Sequence, residues 1–120
     1  MPPTRQSTAT LPLAPAVYLI LLALADGASH GYRIRAAVIE RSNGAVTLDP
    51  GSLYRLIARL SDDSLIDDAP RRPARNDDDE RRRYYRLTPL GKRLLEAETN
   101  RMADLVAIAR RKPARGGRAG

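Results

Sequence analysis

The chain has no cysteine, no tryptophan, no phenylalanine and a single histidine, His30. Without thiols there is neither a disulfide nor a thiolate metal centre. One imidazole is too few for a zinc or nickel site built from histidines. No glycine-rich phosphate loop occurs and no nucleophile has a histidine partner, so the sequence does not read as an enzyme, and no cofactor or metal is expected. The adjacent carboxylates Asp62-Asp63 and Asp67-Asp68 read as solvated charge beside a turn rather than as an acid–base pair. Long apolar runs are also missing. The longest, LPLAPAVYLILLALA at 11–25, is too short to span a bilayer. Two prolines interrupt it and only Arg5 precedes it as a positive charge, which is poor for a signal peptide. A cytoplasmic protein with no membrane partner is expected.

What the chain has in excess is arginine. Lysine and arginine together number 21 against 14 acidic residues, for a net charge of +7. That balance favours a polyanionic partner, nucleic acid first. At 120 residues the chain suits one small domain with a limited core, for which self-association would add stability.

Residues 49–60, DPGSLYRLIARL, organise the rest. Asp49 is a good N-cap, and Pro50 suits the first helical position, where no amide proton is needed. Leu53, Leu56, Ile57 and Leu60 then recur at helical period, while Ser52, Arg55 and Arg59 take the opposite face. One buried side and two guanidinium groups one turn apart on the other are what a major-groove reader needs. A surface helix with solvated arginines gives the same pattern.

Two helices are expected before it. The first runs from about Leu13 or Pro15 to Ala25 and is apolar nearly all round, which predicts burial on more than one side. The second, capped by Ser29, runs to about Arg41 or Ser42, with Ile34, Ala37 and Val38 inward. Asn43-Gly44 signals a turn, and Val46-Thr47-Leu48 suffices only for a minimal strand. Beyond the third helix the period changes. Leu65-Ile66 begins a β segment, 70–80 is a charged tip, and Arg82–Leu87 resumes as a strand with Arg83, Tyr85 and Leu87 on one face.

The expected fold class is therefore mainly α with a small β-hairpin, in the winged helix-turn-helix layout. Arg71, Arg72, Arg81, Arg82 and Arg83 suit phosphate contacts beside a groove, unless the hairpin is merely solvated. Thr88-Pro89 opens a long helix to about Arg111. Its apolar seam of Leu94, Leu95, Met102, Leu105, Val106 and Ala109 is the expected dimer interface. Packing back on the first helix would also use that seam. The expected divisions are a disordered 1–10, a winged helix-turn-helix domain at 11–88, a C-terminal dimerisation helix at 89–111 and a disordered basic tail at 112–120.

The stretches LLAL (21–24), HGY (30–32), PGSLYR (50–55), LI (65–66) and RRYYRLTPLG (82–91) together resemble the PadR family of bacterial transcriptional regulators, in the branch with a single C-terminal helix. The resemblance implies a homodimeric repressor on a palindromic operator. It also implies that Tyr32, Ser52, Tyr54 and Arg55 lie at the DNA interface. Three departures stand out. Ser64 occupies a position where the family usually has glycine. Four consecutive acids, Asp77 to Glu80, sit in the hairpin and would repel phosphate. Finally, some relatives stack aromatic drugs on tryptophan between subunits, and this chain has neither tryptophan nor phenylalanine. An effector, if there is one, would be a small apolar molecule between the first and last helices, and no motif specifies it. The alternative function is a winged-helix protein-interaction module that dimerises and docks an acidic partner without discriminating DNA sequences.

Overall fold

The computed structural model describes residues 11–70 and 83–111; the expected N-terminal tail, most of the hairpin tip and the basic C-terminal tail lie outside them. Among the described residues the order of elements is α1 (Pro15–Leu24), β1 (Ser29–His30), α2 (Gly31–Arg41), α3 (Pro50–Asp62), β2 (Ile66–Ala69), β3 (Tyr84–Leu87) and α4 (Pro89–Arg111). The strands form one antiparallel sheet in the order β1-β3-β2. The fold is mainly helical with a small sheet, as the residue pattern predicts.

Two local expectations need correction. Ser29 does not cap α2. It belongs to β1, opposite Tyr85, and His30 takes the cap: its Nδ1 accepts from the Arg33 amide at 3.2 Å. Pairing with β3 keeps both residues extended, so the first side chain free to turn toward the helix is one position later than expected. Residues 46–48 form no strand. Backbone groups of Val46 and Leu48 are taken by side chains instead. The Ser42 hydroxyl accepts from Val46 N–H at 3.0 Å, and the Arg35 guanidinium donates to the Leu48 carbonyl. With those groups satisfied locally, no ladder partner is needed.

The core gathers the inward stripes of all four helices and of the sheet. Ile20 and Leu21 of α1, Ile34 and Val38 of α2, and Leu53, Ile57 and Leu60 of α3 are fully or almost fully buried. Leu65, Ile66, Tyr85 and Leu87 close it from the sheet side. Alternation along β3 is visible in burial: Tyr85 and Leu87 point in while Arg86 is exposed. Burial also pushes the Tyr85 hydroxyl pKa up.

The junction from α3 to the sheet holds a residue in an unfavourable conformation. Ser64 has φ +65°, the left-handed region, where the family pattern supplies glycine. The same junction seats α4. The Thr88 hydroxyl donates to the Ser64 carbonyl at 2.6 Å and accepts from the Gly91 amide at 3.0 Å, which is the cap expected from Thr88-Pro89. Gly91 is pressed against the Leu65 carbonyl, leaving no room for a Cβ.

Only the first half of α4 covers the protomer's core. Gly91, Leu95 and Glu98 are its buried residues, and from Ala103 onward every residue is exposed. Leu95 therefore leaves the expected dimer seam. The start of α4 is anchored on the Leu65 turn, which directs Leu95 into the protomer's own core. Glu98 was not expected inside. Its carboxylate receives both arms of the Arg101 guanidinium, at 2.6 and 2.9 Å, and the Leu13 amide at 3.0 Å. Tyr18 and Thr99 pair their hydroxyls at 2.8 Å beside it. The entry to α1 is thus fastened to the middle of α4.

Candidate nucleic-acid interface

Helix α3 is set up as expected. The Asp49 carboxylate accepts from the Ser52 amide at 2.7 Å, and Pro50 follows in the first turn. Hydrogen bonds from Ser52 hold the Asp49 carboxyl below the usual carboxylate range, and the Arg55 charge adds to that effect. With Leu53, Ile57 and Leu60 buried, the other side presents Tyr54, Arg55 and Arg59 to solvent, with Ser52 half-buried. Arg55 is not a free rod. Its Nη2 donates to the Ser52 hydroxyl at 3.1 Å, so the guanidinium is held over the first turn of its own helix.

The N-terminal turn of α2 lies alongside. A Cβ on Gly31 would fall within 2.7 Å of the Tyr54 Cζ. The phenol of Tyr54 is therefore seated on the bare backbone of Gly31, and it remains about half exposed at 48 %. Tyr32 is 68 % exposed, with its ring stacked on His30 at 6.3 Å. His30 in turn meets Tyr84 of β3 edge-on at 5.3 Å. Tyr32 belongs to the turn that carries Gly31, and Ser52, Tyr54 and Arg55 to the start of α3. Four of the expected site residues thus come from two adjoining helix starts, and Arg59 lies one turn further along α3.

Among the described residues, the hairpin arginines are less available to an anion than the sequence implies. Arg83 Nη2 donates to Asp68 at 2.7 Å, and the guanidinium sits 5.3 Å from the centre of the Tyr85 ring. Arg86 is held by Asp67, its register partner across the ladder, at 2.9 Å. The bond to Asp68 raises the Arg83 pKa further. Arg71, Arg72, Arg81 and Arg82 lie outside the described residues, as do Asp77 to Glu80. The reading of Asp67 and Asp68 as merely solvated charge missed their role as counter-charges. The signal was the hairpin itself, because a ladder folded about the tip sets Asp67 opposite Arg86.

The comparisons with known proteins agree with this geometry. Residues 20–97 match the model of the transcriptional regulator PadR-like family. The chain belongs to that family. A PadR family regulator from Clostridium difficile R20291 has 25 % sequence identity to the chain and a TM-score of 0.64, over 79 % of this chain and 94 % of that one. A transcriptional regulator from Clostridium thermocellum is 24 % identical with a TM-score of 0.60, over 78 % and 84 % of the two chains. Bacillus subtilis PadR in complex with operator DNA is 23 % identical with a TM-score of 0.58, over 72 % of this chain and 46 % of PadR. An uncharacterised 37.1 kDa protein of transposon Tn4556 from Streptomyces fradiae is 47 % identical over 87 residues. The match covers 72 % of this chain and only 23 % of that relative's length. Within the PadR-like family frame, α2 and α3 are the helix-turn-helix and β2–β3 is the wing.

Proposed function

We propose that the chain is a sequence-specific DNA-binding regulator of transcription, a repressor acting as a homodimer on a palindromic operator. The observation that carries the reading is the cluster of exposed Tyr54, Arg55 and Arg59 and half-buried Ser52 on capped α3, whose opposite side is core, with exposed Tyr32 beside it at the start of α2. Arg55 and Arg59 offer forked donors suited to the O6 and N7 of guanine, while Tyr32, Tyr54 and the wing arginines suit phosphate and sugar. Bacillus subtilis PadR, which shares this fold, is bound to operator DNA, and that supports DNA as the partner.

The homodimer rests on α4. Leu105, Val106 and Ile108 are 52, 48 and 41 % exposed, Ala109 is exposed, and Met102 is partly so. Leu94 is half-buried against the protomer's core and completes the seam near the wing. An apolar helix face of this kind is matched by its own copy across a two-fold axis. Two α3 helices would then enter successive major grooves about 34 Å apart.

The test is fluorescence anisotropy at near-physiological salt, with the promoter flanking the protein's own gene against a scrambled duplex. Arginine-rich proteins bind any duplex at low salt, so the comparison needs the higher concentration. A preference of about a thousandfold or more is expected. Equal, steeply salt-dependent binding to both would overturn sequence-specific recognition and favour a protein-docking module.

A further inference from the structure

Helix α2 has a second, largely exposed flank. Arg33, Ala37 and Arg41 follow one another at single-turn spacing and line a cleft of about 310 Å³ against the end of α1 and the turn after it. Ala23, Asp26 and Ser29 are also in that lining, with Gly27 and Ala28. Arg35 projects from the other flank of α2 and reaches the Leu48 carbonyl, in the segment leading to α3. The cleft and the recognition helix are therefore on opposite sides of α2.

Three features of the cleft call for a negatively charged occupant. Ser29 is only 6 % exposed, and its buried hydroxyl has no hydrogen-bond partner among the described residues. Buried hydroxyls are ordinarily satisfied. The Arg33 guanidinium makes no hydrogen bond or ion pair among the described residues; only its backbone amide is engaged, by His30. Arg41 is held loosely, at 3.3 Å from both Asp26 and the Leu22 carbonyl, longer than a strong charge-assisted bond. Two arginines and one aspartate thus line a space that Ala23 and Ala37 leave open.

We propose that this cleft binds a small oxyanion, a phosphate or carboxylate group. Arg33 and Arg41 would supply the charge, and the Ser29 hydroxyl, re-aimed by rotation about one bond, would donate the hydrogen bond that positions it. Asp26 is the internal competitor: the incoming anion takes its place on Arg41. Ser29 pairs with β3 and precedes the cap of α2, so occupancy is felt at the turn that carries Tyr32.

Nuclear magnetic resonance of the full chain tests this, following backbone amides and arginine Nε–H groups. Inorganic phosphate, and separately acetate, is titrated against chloride at constant ionic strength. Saturable shifts at Ser29, Arg33 and Arg41 with at least one of the two anions are expected. Ser29→Ala should weaken binding about tenfold, the scale of a lost hydrogen bond to a charged group. It should leave the melting temperature unchanged or raised, because the hydroxyl it removes has no partner. Arg33→Gln should weaken binding similarly, and Asp26→Asn should tighten it. Linear shifts spread over all arginines, or Ser29→Ala binding like wild type, would overturn the proposal. A duplex arm separates the two sources of phosphate. Anion shifts that persist in the DNA complex support a free small anion, whereas displacement by DNA would assign the cleft to backbone phosphate and overturn it.

Discussion

At the scale of single residues, Arg55 and Ser64 carry the sharpest expectations. Arg55 is exposed and pre-positioned by its bond to Ser52, so little ordering is left to do when it meets a base. Arg55→Ala should cost about 1–3 kcal/mol on the cognate operator and relax specificity at one base position. Near-equal titration curves for mutant and wild type would reassign base reading to Arg59. Ser64 is exposed and holds a left-handed backbone that glycine adopts without a Cβ penalty. Ser64→Gly should stabilise the fold by about 0.5–1 kcal/mol, read as a raised urea midpoint with unchanged slope. The Thr88 bond to the Ser64 carbonyl survives the change, so the helix junction is preserved. Both positions were legible because their signals are local: a helical face in one case, a departure from glycine in the other. The seating of Tyr54 on Gly31 was not, because it depends on how α2 crosses α3.

At the scale of elements, α3 depends on its cap and the wing on its counter-charges. Asp49 caps α3 as a carboxylate, and its folded pKa lies below the ordinary value. The contribution is therefore complete above the unfolded carboxylate range and is lost as pH falls through the depressed folded value. Asp49→Asn should preserve stability near neutrality, since asparagine caps about as well, while flattening the acid limb of the stability profile. Asp49→Ala should lower the melting temperature at all pH values above that limb. An unchanged profile in Asp49→Asn would place the acid sensitivity at Glu98 instead. In the wing, Asp68 neutralises Arg83 before DNA arrives. Asp68→Asn should strengthen binding to any duplex and steepen its salt dependence by up to about one phosphate contact. The helices and the hairpin were readable from period and turn chemistry. The two-residue strand β1 was not: Ser29-His30 has no period of its own, and its partner Tyr84-Tyr85 lies more than fifty positions away.

At the scale of the whole molecule, α4 is covered along its first half and exposed along its second. Leu94, Leu95, Met102, Leu105, Val106 and Ala109 read in the sequence as a single seam of roughly heptad period. The structure divides that seam near Met102. Upstream it is intramolecular, with Leu95 in the core and Glu98 binding Arg101 and the Leu13 amide. Glu98 was legible as a polar interruption at a seam position, but its partner from the start of α1 was not, since nothing local links residues 85 apart. Downstream the seam is uncovered, and its composition argues for a second copy: Leu105, Val106 and Ile108 on a helix that ends in Arg110 and Arg111. Replacing both Met102 and Val106 by glutamate puts two negative charges into that face without touching Leu95, Glu98 or α3. The double variant should be monomeric by light scattering, with its melting temperature no longer dependent on protein concentration. Binding to a single half-site should persist while the affinity for the full palindrome collapses toward it, because linked half-sites act through effective concentration. If the variant stays dimeric, the two-fold contact lies elsewhere, and the half-buried surface of α1, with Val17, Leu19 and Leu22, is the next candidate.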